Sequence, residues 1–520
     1  MNQNEAEKII DFLDAHPEGY GENELKSSMD EMLIKSLSGE RGNLIEWLPV
    51  IRYQRALVFG SGCGELAGEL LKKEAFVDYI EQSKEAEKVL NRLYQGLPSF
   101  RLFQDAAEVF SESRSVYDWI LVPEGLFNDN MYFYSLHLNR EGGRSSNAEE
   151  RLLGFLEELK GHLNPLGHIV FITDNLLGLK QFSAPARRMD GEYFGQLVGD
   201  YGNRGKLLFS RRELDGIFSA AGLNCRYYYP YPDEIFPEYI YSDERLPAGD
   251  ELHSIRLSEQ GALRLFDENG AYKTLIDAGL YREMASVFIC LLEAKDGRGA
   301  GYEFPLYVKY SVRRREEYRI CTEVMKDEGG SSYIRKRPYD DAASEHIMRM
   351  REIYAGLIRA CDGENISPCP METEEPAPGI PYGAVRFKLL NGESLDMILD
   401  GLWESGNTAL VYQKLDELHN RFYDMAMVPF EPSERFASLF GLDIESAADH
   451  FGGERSWLVT DIDLIPANIF KDGEQWGIID YEWSVKETVP FSFIWYRFIH
   501  YYVEVSPARK AHFGDSLYER

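Results

Sequence analysis

The run RALVFGSGCGELAGELLKKEAFVDYIE (55–81) constrains this chain more than any other stretch. A strand-like segment, RALVFG (55–60), enters a glycine turn that opens into the helix-like ELAGELLKKE, and AFVDYIE (75–81) is a second strand ending on an acid. Strand, helix and strand in that order form a parallel crossover unit. The alternation continues through SKEAEKVLNRLYQGL, SFRLFQDA (99–106), YDWILVP (117–123), ERLLGFLEELKGHLNP and GHIVFITDN (167–175). Such spacing implies a parallel sheet covered by helices on both faces. The helix SRRELDGIFSAAGL ends at Gly222, where a C-cap is expected. The aromatic run NCRYYYPYPDEIFPEYIY departs from the pattern, and MASVFICLL (284–292) reads as a closing strand.

The polar, glycine-rich EAKDGRGAGYEF (293–304) marks a boundary. The expected organisation is a helical segment over 1–42, an α/β Rossmann-like domain over 43–295 and a linker over 296–304, followed by a second domain over 305–520. A chain of 520 residues is long enough for two to four domains at ~100–200 residues each. Its net charge of -31 opposes binding to bare nucleic acid or an anionic membrane, both of which need a basic footprint. The longest apolar runs, such as MASVFICLL, fall far short of the ~20 residues of a membrane helix. The start, MNQNEAEKIIDFLDAHPEG, is acidic and amphipathic and lacks the form of a signal peptide. Six scattered cysteines without a CxxC pair suggest free thiols, and the expected location is cytoplasmic.

Three glycines, Gly60, Gly62 and Gly64, fall between the first strand and its helix, where the backbone turns sharply and approaches a ligand closely. Glu81 closes the second strand, in position to accept both hydroxyls of a ribose. Asp105 closes the third, where it or the N–H of Ala106 meets an adenine amine. This pattern, with LKGHLNPLGHIVFITDN further on, resembles class I S-adenosylmethionine-dependent methyltransferases from about Arg41 to Ala294. The resemblance implies a mostly parallel seven-stranded sheet and S-adenosylmethionine as cofactor. ERGNLIEWLP, YFGQL, LLFSRRELDGIFSAAGL and YYYPYPDEIFP further resemble methyltransferases of bacterial surface-polysaccharide synthesis. One position departs: Val58 stands where the family carries an acid that orients the amino-acid part of the cofactor. Asp174, Asn175 and Tyr193 are the candidates for handling the acceptor's proton.

A second polar constellation lies near the end, in VTDIDLIPANIF (459–470) and GIIDYEW (477–483). Phosphoryl transfer of the kinase type needs a carboxylate near the incoming hydroxyl, an amide oxygen on magnesium and a second metal-binding carboxylate. Asp463, Asn468 and Asp480 have that order and spacing. The pattern resembles aminoglycoside- and choline-kinase-like enzymes from about Lys309 to Glu504, with Asp461 where a histidine is usual. That resemblance implies an α+β bilobal kinase-like domain that uses ATP and Mg2+. It also implies that Lys336 on a strand holds the phosphates and that Glu345 on the next helix is its partner. A GxGxxG phosphate loop is missing, and KDEGG (326–330) is its only substitute.

Together the halves resemble the bifunctional methyltransferase/kinase that caps bacterial O-antigen polysaccharide. The implied substrate is a glycan or sugar, with other polysaccharide-assembly proteins as partners and neither nucleic acid nor a transmembrane segment. The alternatives are a non-catalytic scaffold of a glycan-assembly complex, or a methyltransferase joined to a kinase for an unrelated small molecule. The final DSLYER reads as the start of a helix and thus as the end of a fragment.

Overall fold

The computed structural model describes residues 1–60, 62–111, 116–123, 148–183, 194–199, 206–249, 251–254, 265–295, 301–361, 365–377, 379–390, 392–426, 428–473 and 475–518. Two compact units emerge. The first is Met1–Val312 with Thr322–Lys326 and Ala377–Pro381, and the second is Arg313–Cys321, Asp327–Pro376 and Tyr382–Arg520.

In the first unit the strands are β1 Arg55–Phe59, β2 Phe76–Ile80, β3 Phe100–Phe103, β4 Tyr117–Val122, β5 Leu163–Asp174, β6 Leu223–Tyr231, β7 Tyr239–Ser242, β8 Val287–Ala294 and β9 Tyr307–Tyr310. They lie in the order β3-β2-β1-β4-β5-β8-β6-β7-β9. β3, β2, β1, β4 and β5 run parallel. β8 is antiparallel to both β5 and β6. The chain reverses its winding between β1 and β4, which makes the carboxyl ends of β1 and β2 the natural crevice of a Rossmann-like sheet. β1 and β4 are almost wholly buried, and Leu57, Phe59, Ile120, Val122, Ile169 and Phe171 belong to the main core.

Two features differ from expectation. The aromatic run after Gly222 forms β6 and β7, an antiparallel pair. Three tyrosines of β6 lack the polar-apolar alternation of a half-buried strand because their rings are buried while their hydroxyls find partners: Tyr227 donates to Asp215, Tyr229 to Asp243 and Tyr231 to the carbonyl of Ser254. The sheet also extends past seven strands, since β9, beyond the expected boundary, pairs with β7. The helix Arg211–Ala220 ends as anticipated, with Gly222 at φ +70.

The amino-terminal helices α1 Gln3–Ala15, α2 Glu22–Ser27 and α3 Glu31–Leu37 belong to this unit. Asn2 and Glu5 close a capping box on α1. The buried Ile9 and Leu13 of α1 pack with Leu25, Leu33 and Leu37, and the same cluster takes in Cys63 of the glycine turn.

In the second unit the strand Ser332–Pro338 pairs antiparallel with Ala384–Lys388, which pairs with Met371–Glu374. The helix Ser344–Ala360 shares a core with these strands through Ile347, Met350, Ile353 and Leu357. Gly356 on this helix faces Val459: a β-carbon there would sit 2.4 Å from Val459 Cγ2. A second, larger core joins the helices Leu395–Glu404, Thr408–Met425 and Phe491–Glu504. The hairpin Ile469–Asp472 and Gln475–Ile478 belongs to this larger core through Ile469, Trp476 and Ile478, with residues 461–468 before it and 479–483 after it. Among the described residues no helix is long and apolar enough to cross a membrane.

Candidate functional site

The glycine turn of the first unit brings main chain and carboxylate into contact. Gly60 N–H donates to the Ile80 carbonyl at 2.7 Å. A β-carbon at Gly60 would lie 2.6 Å from that same carbonyl and 2.6 Å from Glu81 Oε2, so only hydrogen fits. Gly62 and Gly64 hold φ of +81 and +83, the left-handed region that glycine alone enters without strain. The Tyr94 hydroxyl donates to the Gly64 carbonyl and fixes the turn from behind. Glu81 is buried, with Oε1 accepting from Ser83 N at 2.7 Å. Asp105 accepts from the N–H of Ala107, and Ala106 is buried as the first residue of a short helix.

The three acceptor-side candidates separate. Asn175 is a structural clamp, contrary to expectation: its amide donates to the carbonyls of Glu283 and Ala285, and its oxygen accepts from Leu177 N. Asp174 accepts from Lys180 at 3.1 Å, and the same ammonium donates to Glu234 at 2.8 Å. Sequence reasoning missed Lys180 and Glu234, which lie 54 residues apart and meet only on folding, although Glu234 stands within YYYPYPDEIFP. Tyr193 lies outside the described residues.

In the second unit Lys336, Asp463, Asn468 and Asp480 form one neighbourhood. Lys336 donates to Asp480 and, at 3.1 Å, to Glu482. Burial works against the Lys336 charge, but the two carboxylates outweigh it and raise its pKa. Arg314 also donates to Glu482 at 2.6 Å, and its guanidinium lies over the Trp483 ring. Glu345 behaves differently from expectation. It is 85% exposed and pairs with Arg349 one helical turn on. The carboxylate beside Lys336 comes instead from Glu482, whose side chain is 1% exposed. At the start of the helix Glu345 points into water, whereas Glu482 sits in the turn Tyr481–Trp483, two residues past Asp480. The signal for it was present inside GIIDYEW.

Asp480 adopts φ +57, which aims its carboxylate out of the strand direction, and its side chain stays 45% exposed. Asn468 donates its amide to the Asp463 carbonyl at 3.0 Å, and its own carbonyl accepts from Ile479 N. These bonds tie the loop to the segment that carries Asp480. Arg497 donates to Asp463 Oδ1 at 2.8 Å and to the Ile462 carbonyl. Burial, opposed by Arg497 and aided by repulsion from Asp480 and Glu482, raises the pKa of Asp463. Asp461 is buried and pushed up to about 7; desolvation dominates, and its Oδ2 meets no hydrogen-bond donor. Among the described residues no three His, Cys, Asp or Glu side chains are grouped to hold a metal ion unaided.

No protein-family model matches the chain, and no curated protein matches it. Solved structures do. A SAM-dependent methyltransferase from Archaeoglobus fulgidus is 14% identical, covers 50% of this chain and 93% of its own, and gives a TM-score of 0.29. A TehB-like SAM-dependent methyltransferase from Corynebacterium glutamicum is 13% identical, with 50% and 89% covered and a TM-score of 0.26. The plantazolicin methyltransferase BpumL in complex with SAH is 14% identical, with 50% and 84% covered and a TM-score of 0.27. At TM-scores this low, the assignment of the fold rests on the strand order and the glycine turn.

Proposed function

We propose that this chain is an S-adenosylmethionine-dependent methyltransferase carrying a second, kinase-like phosphotransferase unit, acting on the terminus of a bacterial surface glycan. The observation that supports the methyltransferase reading most is the contact of Gly60 with Ile80 and Glu81 at the carboxyl ends of β1 and β2. There the two strand ends close together beside a buried carboxylate, Glu81, that would accept from a ribose. Gly60, Gly62, Gly64, Glu81, Asp105 and Ala106 would hold the cofactor, which when bound supplies an electrophilic methyl group. The chain's own contribution is alignment and exclusion of water. Asp174, paired with Lys180, is the acidic group at the end of β5 that would orient an acceptor.

The kinase-like reading is favoured by Lys336 beside Asp480 and by Asn468 locking Asp463 to the same loop. Asn468 and Asp480 would hold Mg2+ together with nucleotide phosphates, an arrangement in which the protein supplies few of the ligands. Lys336 would hold the phosphates, and Asp463 would accept the proton of a sugar hydroxyl. The glycan and the assembly partners rest on the resemblance in sequence, and the cytoplasmic setting on the scattered cysteines.

Calorimetric titration with S-adenosylhomocysteine and with ATP–Mg2+ tests both readings. Wild type is expected to bind each, and Asp480→Ala to lose nucleotide binding while keeping the other ligand. Absence of heat from either ligand would leave the scaffold alternative.

A further inference from the structure

Val58 leaves the end of β1 without a carboxylate: it is buried in the sheet, in register with Tyr79 and Leu121. A different acid occupies the glycine turn. Glu65, the first residue of the helix α4 Glu65–Lys72, has a side chain only 6% exposed. Its carboxylate lies against the turn, where burial raises its pKa while the neighbouring Arg41 opposes the shift. Arg41 Nη1 lies 3.5 Å from Glu65 Oε2, and the Arg41 side chain is 7% exposed. Arg41 comes from the turn Gly39–Leu44, directly after the amino-terminal helices.

Both charges rest against one glycine. A β-carbon at Gly62 would lie 2.9 Å from Arg41 Nη1 and 3.1 and 3.2 Å from the two Glu65 oxygens. A buried ion pair contributes little or negative net stability, because the loss of hydration offsets the mutual attraction. Its position, against the middle glycine of a ligand-facing turn, therefore points to a ligand of matching charge. Two opposite charges side by side complement a zwitterion, and the nucleoside end has its own anchor at Glu81.

We propose that Arg41 and Glu65 read the α-amino-acid end of S-adenosylmethionine: the Arg41 guanidinium donates to its carboxylate, and Glu65 accepts from its ammonium in place of the acid that β1 lacks. The proposal rests on the methyltransferase reading. It makes the amino-terminal segment part of the cofactor site, since Arg41 reaches the turn from there. It also divides recognition of the cofactor, with Glu81 for the ribose and the Arg41–Glu65 pair for the amino acid.

The test compares S-adenosylhomocysteine with 5′-methylthioadenosine, which keeps the nucleoside and lacks the amino-acid group. Wild type should bind the former more tightly. Glu65→Gln and Arg41→Gln should each weaken S-adenosylhomocysteine at least tenfold and leave 5′-methylthioadenosine within twofold, which also shows that the turn remains folded. Glu65→Asp, which keeps the charge on a shorter arm, should fall between. Equal loss of both ligands in the variants, or loss of neither, overturns the proposal and leaves the methyltransferase reading standing. A wild type that binds neither ligand removes that reading, and the proposal with it.

Discussion

The glycine turn of the first unit and the Lys336 neighbourhood of the second are built from different materials. At Gly60 the fit is set by main chain against main chain, with the Ile80 carbonyl too near for any β-carbon. Around Lys336 it is set by alternating side-chain charges, Arg314, Glu482, Lys336 and Asp480. A backbone-defined site tolerates no substitution at its contact points but keeps its shape when neighbouring charges change. A charge-defined site can draw its partner from more than one position, and here Lys336 pairs with Glu482 and not with Glu345.

The largest expected effect tests that pairing. Glu482→Gln removes the buried carboxylate that Lys336 shares with the partly exposed Arg314, and breaking a buried pair costs about 3–5 kcal/mol. Glu345→Gln should stay within about 0.5 kcal/mol, because its pair with Arg349 is on the surface. Denaturant unfolding of both variants checks the contrast, and equal effects would break it.

A pH dependence comes next. Asp461 has its pKa raised from 3.8 to about 7 by burial, so the folded state holds a proton that the unfolded chain releases. The stability this contributes is fully present below pH ~4 and is lost as pH rises toward 7, a change on the order of 4 kcal/mol at most. Asp461→Asn should therefore unfold with a flatter pH profile than wild type between those limits. Superimposable profiles would show that the carboxylate is already ionised in the folded chain.

The backbone-defined site gives the third effect. Gly60→Ala should lower S-adenosylhomocysteine affinity about 100-fold, or ~2.7 kcal/mol, because the Ile80 carbonyl is fixed by the β1–β2 ladder. Retained affinity, measured by titration, would mean that the turn relaxes like a side-chain site and would erase the comparison.

The same contrast explains what the sequence revealed. β1, β2 and the turn between them were legible because period, glycine and a closing acid are local signals. Asp463, Asn468 and Asp480 were legible as a spaced motif. The partner of Lys336 was misplaced because Glu482 lies 146 residues away along the chain: GIIDYEW displays the acid, but not which lysine it meets. Arg41 and Glu65 escaped notice for the same reason, being joined only by folding. The tyrosines of β6 were obscured because their hydroxyls look polar while their rings are core.

Gly356 has a consequence for how such a unit can change over time. With 2.4 Å between a would-be β-carbon and the stiff, branched Val459, one hydrogen atom sets the gauge between the helix Ser344–Ala360 and the strand that begins at Thr460. Alanine would favour the helix by ~1 kcal/mol, and the overpacking would cost about 1–3. Positions 356 and 459 must therefore vary together, so a loop grafted from another protein would seat here only if it arrived with its matching helix.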